Sequence, residues 1–269
     1  MIDFGVDRSA QVLYRAFEDY IVRIPFNAAM LFNLVRADSV DLSVSRVVVR
    51  NGAAVAAALI ARRGWTCRLA AMGIVPEVRR TGLGRSLVLQ LLDEAKTRGD
   101  RTMILEVMEQ NIAAVELYHA CAFETIRRLI GFAGPPPPVD DVPADITEVD
   151  LREVADVVTR YGLRDLPWQL SGETIAQLAP PAVGYRLNGA WIALADPAQP
   201  VVAVRALIAE PAARNLDREA DLLRAVMAKY PGKTEWRFNP VWPEELADII
   251  APVGLPRMAL TQFQMQRAI

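Results

Sequence analysis

Two stretches of this 269-residue chain place residue types at spacings that can do chemistry. The first is Arg79-Arg80-Thr81-Gly82-Leu83-Gly84-Arg85-Ser86. It joins an apolar run, Leu69 to Val75 with Met72, Gly73 and Ile74 at its end, to a stretch in which Leu87, Leu91, Leu92 and Ala95 share one helical stripe before Arg98-Gly99. The run reads as a strand buried on both faces, and the stripe as a helix with its stop signal. A strand that delivers a Gly-containing turn to a helix N-terminus builds an anion site. The first N–H groups of the helix have no intrahelical partner, and the helix dipole favours negative charge. Glycine lets a phosphate approach the bare backbone. The second stretch begins at Asn111, a good N-cap, with Ala114 and Tyr118 three and seven residues on and so on one helical face. Between the two lies Glu106, in the otherwise apolar strand Met103 to Val107. A carboxylate there needs a partner; an ion pair with an arginine and a catalytic role both meet that need.

The loop is not a Walker A, because no Gly-Lys-Ser/Thr follows, and not a dinucleotide fingerprint, because Leu87 stands where a third glycine belongs. The pattern Arg79-x-x-Gly82-x-Gly84 resembles the coenzyme A pyrophosphate loop of the GNAT superfamily of N-acetyltransferases. The stretch NIAAVELYHACAF, from Asn111 to Phe123, is similar to that family's Asn-x-x-Ala-x-x-x-Tyr-x-x-x-Gly-Phe signature, with Ala122 in place of glycine. The resemblance implies acetyl-CoA as co-substrate, bound by residues 72–75, 79–86, Asn111 and Tyr118. It further implies direct attack of a neutral amine on the thioester, an oxyanion facing a backbone N–H near Ile74, and Tyr118 protonating the thiolate as general acid. Glu106 is a candidate catalytic residue beside Tyr118. The base that deprotonates the amine stays open among Glu106, Glu18, Asp19, a water chain and a group from the second half.

The elements that must position these residues follow in order. Ile2 to Phe4 reads as a short strand, and a helix from near Ser9 carries the stripe Val12, Leu13, Ala16, Phe17, Tyr20 and Ile21. A second helix covers Ala28 to Arg36. Val47 to Arg50 and Ala53 to Ile60 flank Asn51-Gly52, a strong hairpin signal. After the organising strand and helix come a strand from Thr102 to Val107, a helix from Asn111 to Cys121 and a strand from Ile126 to Phe132. This order is that of the GNAT fold.

Pro135 to Pro138 read as a stiff polyproline spacer, giving a catalytic domain over residues 1–134, a linker over 135–138 and a second domain over 139–269. The second half is a faint repeat of the first. Ile146 to Val149 and Leu151 to Tyr161 repeat the opening strand and helix, and Leu187-Asn188-Gly189-Ala190 repeats Arg50-Asn51-Gly52-Ala53. Pro211 and Arg214 match Pro76 and Arg79, while Leu222, Leu223, Val226 and Met227 match Leu87, Val88, Leu91 and Leu92. A drifting period of this kind indicates tandem duplication. Asp217 and Glu219 replace Gly82 and Gly84, and Ile250 stands in place of Tyr118, so this half is expected to bind no CoA. The expected fold class is α+β (mixed α/β): two tandem GNAT-like domains, each a mixed, mostly antiparallel twisted sheet flanked by helices.

Composition sets the remaining bounds. Hydrophobic residues make up 52% and charged residues 23% of the chain, as in an ordinary soluble protein. The N-terminus lacks a secretory pattern, the longest small-apolar run is too short to span a bilayer, and two cysteines with one histidine suit a reducing cytoplasm and rule out an ordinary zinc cluster. Cys67 and Cys121 read as packed small residues and His119 as a surface residue. Residues 1–134 hold 17 basic against 14 acidic side chains and residues 135–269 hold 13 against 18. The basic half suits cofactor phosphates, the acidic half a cationic amine, and no basic face points to nucleic acid. The expected partners are acetyl-CoA and an amine acceptor, with no metal, no nucleic acid and no membrane, in a monomer or homodimer. A CoA-binding sensor without turnover, and an interaction protein on the same scaffold, are the alternatives.

Overall fold

The computed structural model describes residues 1–138, 146–213 and 217–269; Arg214, matched to Arg79 in the repeat, lies outside them. The chain forms two compact units. One comprises Met1–Ile126 with Phe263–Ile269, the other Arg127–Gln262. The proline run therefore falls inside the second unit, and the chain crosses between units earlier, within a strand.

In the first unit, α1 (Val6–Ala16) and α2 (Ala28–Asp38) precede β1 (Arg46–Arg50), β2 (Ala53–Arg63) and β3 (Thr66–Ile74). Then come α3 (Leu83–Arg98), β4 (Thr102–Met108) and α4 (Ile112–Ala120). Strands β1, β2 and β3 pair antiparallel, and β4 pairs parallel with β3. The β1–β2 turn takes the left-handed backbone that Asn-Gly supplies, with φ of 51° at Asn51 and 77° at Gly52. Leu87, Val88, Leu91, Leu92 and Ala95 of α3 are buried against the strand residues Ile60, Cys67, Leu69, Met103 and Leu105.

β5 (Glu124–Gly134) opens the second unit, followed by β6 (Thr147–Val149), α5 (Leu151–Tyr161) and α6 (Gly172–Ala176). The hairpin β7 (Val183–Leu187) and β8 (Ala190–Leu194) leads to β9 (Val201–Ala209), α7 (Arg218–Lys229), β10 (Glu235–Pro243) and α8 (Ala247–Ile250). Its strand order is β5-β10-β9-β8-β7-β6, antiparallel throughout except for the β9–β10 pair. β11 (Gln262–Ala268) then joins the first unit beside β4. There Arg267 donates to the Cys121 carbonyl, and the Ile269 N–H donates to the Arg101 carbonyl at 2.9 Å. Each unit is thus a mixed, mostly antiparallel sheet with flanking helices. The strand after α4 enters the second sheet next to β10, and the strand after α8 enters the first next to β4. No described helix is long and apolar enough to cross a membrane.

Two local expectations are corrected. Ile2–Phe4 is a single 3-10 turn, closed by the Phe4 N–H on the Met1 carbonyl at 3.1 Å. Three residues before Gly5, with its φ of 90°, carry too little alternation to separate a strand from a turn. Helix α1 ends at Ala16, so Tyr20 and Ile21 lie beyond it, and Ile21 is exposed. The stripe misled because helical spacing continued past the last helical residue.

Ala122, in the turn after α4, has φ 60°. The left-handed region costs a residue with Cβ about 1–2 kcal/mol. After allowing for the freer unfolded chain, Ala122→Gly is expected to stabilise the fold by about 0.5–1 kcal/mol. A higher urea midpoint with an unchanged slope checks it; a lower midpoint contradicts it.

Candidate active site

β3 and β4 are paired only through Thr66↔Thr102, Cys67↔Met103 and Arg68↔Ile104. Beyond that rung β3 runs on to Ile74 and β4 to Met108. β3 stays bound to β2, with Met72, Gly73 and Ile74 opposite Ala58, Ala57 and Ala56, while a register shift between Leu59 and Ile60 leaves Ala70 as an extra residue. The bulge bends β3, and the two strands part. The edge of β3 that faces β4 at Met72 and Gly73 is left without a strand ladder, which is where an extended, amide-bearing ligand can add its own hydrogen bonds.

The loop sits at the open end. A 3-10 turn (Pro76–Val78) carries the chain off β3, Arg80 takes φ 64°, and Gly82 caps α3 with φ 83°. Gly82 offers no side-chain cap to this helix, so the first-turn N–H groups of Leu83, Gly84 and Arg85 lack a side-chain acceptor, the arrangement in which a helix start can receive an anion. A Cβ on Gly82 would meet nothing within 4 Å, which is room that a ligand can fill. A Cβ on Gly84 would lie 3.2 Å from both Ile74 Cδ1 and Leu117 Cδ2. That glycine therefore lets the start of α3 close onto the end of β3 and onto α4. Thr81 bonds the Val78 carbonyl at 2.8 Å, and Arg80, Arg85 and Ser86 are exposed around the turn.

Arg79 differs from expectation. Its Nε donates to the Ile74 carbonyl at 2.9 Å, and its terminal nitrogens to the Ala16 carbonyl at 3.0 Å and to both Asp19 oxygens at 2.6 and 2.8 Å. The guanidinium fixes the end of α1 against the end of β3, so Arg79 positions the loop. The same ion pair holds the Asp19 carboxyl below its ordinary range. A sequence window around the loop contains no sign of a partner sixty residues away.

α4 supplies the second cluster. The Asn111 side chain accepts from the Ala114 N–H at 3.3 Å and so caps the helix. Tyr118 is 7% exposed, its ring edge-on to Phe123 with centroids 5.8 Å apart. Burial first, then the nearby Tyr20 and Cys121, push the Tyr118 pKa above its ordinary value. Tyr118 packs in the same core as Met72, Ile74, Leu83 and Leu117, so the strand end, the loop and the tyrosine converge. Tyr20 was not anticipated as part of the site. Its hydroxyl meets the Asn111 side chain, which opposes the upward push of burial on its pKa. Its place four residues beyond Ala16, in an irregular segment, gave no spacing signal. The buried Cys67 thiol is pushed up to about 12 by burial, which leaves it unreactive.

Glu106 resolves toward structure. Arg68 Nε donates to its Oε2 at 2.7 Å, and the Arg68 NH1 lies 3.4 Å from Asp38 Oδ2, all three side chains being largely buried. The triad ties α2, β3 and β4 together at the last rung before the strands part. Breaking a buried ion pair costs several kcal/mol because a charge stays behind uncompensated. Glu106→Gln is therefore expected to lower stability by about 3 kcal/mol, read as a fall in melting temperature by circular dichroism. An unchanged melt with a collapsed rate would return Glu106 to catalysis.

The model of the Acetyltransferase (GNAT) family matches residues 12–123. A 59-residue stretch is 46% identical to a [Ribosomal protein bS18]-alanine N-acetyltransferase of Salmonella typhimurium, covering 21% of this chain and 40% of that protein. A 52-residue stretch is 46% identical to a mycothiol acetyltransferase of Thermobispora bispora, covering 19% of this chain and 18% of that protein. The chain thus spans less than half of the length of either relative. Among solved structures, a tandem GNAT protein from the clavulanic acid biosynthesis pathway superposes over 99% of this chain and 95% of its own, with a TM-score of 0.66 at 15% identity. A GCN5-related N-acetyltransferase from Sphaerobacter thermophilus does so over 98% and 92%, with a TM-score of 0.64 at 15% identity. These two likenesses establish the tandem fold.

Proposed function

Starting from the domain of the acetyltransferase (GNAT) family that residues 12–123 form, we propose that this chain moves the acetyl group of acetyl-CoA to a primary amine at the site in its first unit. The observation that carries the reading is the uncapped start of α3 at Gly82, beside the strand edge opened where β3 leaves β4. Acetyl-CoA as co-substrate supplies a thioester, a pyrophosphate and an amide-bearing arm. The chain's own groups fit all three parts. The N–H groups of residues 83–85 receive the pyrophosphate, with the exposed Arg80 and Arg85 adding positive charge. The free edge of β3 at Met72 and Gly73 lines up the arm. Tyr118, kept protonated by burial, gives a hydrogen bond to the sulfur as negative charge develops on it. A phenol whose pKa lies above that of a thiol, near 8.5, stabilises the leaving thiolate by donation rather than by losing its proton outright. The Asn111 amide and the Tyr20 hydroxyl fix the approach to Tyr118. The acceptor is an amine that arrives neutral. The second unit, with Asp217 and Glu219 at the matching loop and Ile250 fully buried in place of the tyrosine, binds no CoA.

Gly82→Asp tests the loop. A carboxylate at ~5 Å from a phosphate charge, with an effective dielectric of about 20, is repelled by roughly 3 kcal/mol. Calorimetric titration with acetyl-CoA is expected to give one site per wild-type chain and none in the folded variant. Retained affinity, or two sites in the wild type, contradicts the assignment.

Tyr118→Phe tests the donor. Loss of one preorganised hydrogen bond to developing charge is expected to lower kcat by about 10²–10³ with CoA affinity kept. Because the tyrosine's pKa is raised, its neutral form persists past the ordinary phenol range, so the wild-type rate should not fall on its account below about pH 10. Thiol release over a panel of amines provides the assay, and an unchanged rate in the variant reduces Tyr118 to packing.

A further inference from the structure

The cleft-forming geometry recurs in the second unit with its charge reversed. β9 and β10 pair in parallel through Val201↔Glu235, Val202↔Trp236 and Ala203↔Arg237. β9 then runs to Ala209 and β10 to Pro243 beyond that ladder. α7 starts from Asp217 with φ 53°, the same left-handed backbone as Gly82 at the start of α3. Between these elements lies a cavity of about 340 Å³, within the size of small-molecule sites. Leu166, Leu207, Trp242 and Ile249 give it an apolar wall, and Asp217, Glu219 and Asp248 line it as well.

One polar atom in this wall is buried without a partner among the described residues, and an acid in the same wall is largely buried. Glu219 is 6% exposed and lines the cavity. Trp242 is 3% exposed, and its indole N–H has no acceptor among the described residues. A buried donor without an acceptor is costly unless something satisfies it, and a cation beside a largely buried carboxylate is favoured. The three acids do not form a group able to hold a metal ion among the described residues, so an organic cation is the better match. An anion is disfavoured, because the two side chains added at the start of α7 are both carboxylates.

We propose that this cavity binds a small organic amine in its protonated form. The ammonium sits against Glu219 with Asp217 and Asp248 nearby, a hydrogen-bond acceptor next to the amine takes the Trp242 N–H, and the aliphatic or aromatic body lies among Leu166, Leu207 and Ile249. The site is separate from the acetyl-CoA site, and its ligand has the chemical class of an acceptor, so the second unit would sense or store an amine. This inference stands whether or not the first unit turns over.

Isothermal titration of the full chain with phenylalaninol, which carries an amine, a hydroxyl and a benzyl group, tests it. The wild type is expected to bind at micromolar to submillimolar concentration, and 3-phenylpropionate at least tenfold more weakly. Glu219→Gln, which keeps side-chain shape, should weaken phenylalaninol at least tenfold and leave acetyl-CoA titration unchanged. Asp248→Asn, at an exposed position, should weaken it about threefold and serves if the first variant fails to fold. Gly82→Asp should leave phenylalaninol binding intact, which shows that the site does not depend on acetyl-CoA binding in the first unit. No binding at millimolar ligand, equal affinity in Glu219→Gln and Asp248→Asn, loss of binding in folded Gly82→Asp, or equal binding of the anion overturns the proposal.

Discussion

The first unit depends on where one short parallel ladder stops. β3 and β4 share three rungs and then part, and each piece of the candidate site uses the opening that results. The parting has identifiable causes. The extra residue at Ala70 bends β3 while leaving its other edge paired with β2. The Arg68–Glu106 pair pins the last shared rung, so the strands separate beyond a fixed point. At Gly73, where a Cβ would come within 2.6 Å of the Ala16 Cβ, the missing side chain lets α1 lie directly on the strand. Arg79 then bonds the carbonyls of Ala16 and Ile74 together, which locks the end of α1 to the end of β3. A strand edge held this way does not have to be reorganised when a ligand adds hydrogen bonds to it.

Charge around the site divides into two kinds of work. The side-chain ions, Arg68 with Asp38 and Glu106 and Arg79 with Asp19, hold elements in place. In the proposed reading, the anion is held instead by backbone N–H groups at the start of α3. This division is physically reasonable, because backbone donors in a helix turn have lost their freedom on folding, whereas a long side chain must be ordered each time a ligand arrives.

Much of this was legible in the sequence wherever a local rule applied. Gly82 and Gly84 announced the turn, Asn111 the cap of α4, and Asn51-Gly52 and Asn188-Gly189 the two hairpins, whose left-handed torsions are present in both units. What escaped was non-local. The commitment of Arg79 depends on Asp19, and the placement of Tyr20 on a helix that ends at Ala16 and on Asn111. The strands that leave one unit for the other obey the same alternation as strands that stay. Nothing in the pattern of Glu124–Gly134 distinguishes a strand that pairs with β10 from one that pairs with β4. Glu106 lay between the two cases, since burial in an apolar strand demanded a partner but could not say which.

The routing of β5 and β11 bears on why the second unit keeps a packed core after losing its loop glycines. In the first unit the place beside β4 is filled by β11, and β11 follows the entire second unit in the chain. The first sheet therefore obtains this strand only through the chain that builds the second. Conversely, the second sheet takes β5, whose Phe132 and Ile130 pack in its core with Trp236 and Phe238, from the chain that has just completed α4. Each half supplies a strand that the other's core requires, so their stabilities are coupled through connectivity. Under that coupling, a substitution that erodes the second core would also weaken the sheet that carries the candidate site. Replacing Gly82 and Gly84 by Asp217 and Glu219 at the matching turn erodes nothing of this kind. It changes the sign of the charge presented at a helix start while leaving Leu222, Leu223, Val226 and Met227 buried. The cleft of the second unit can therefore carry a different charge from that of the first while the core beneath it stays packed.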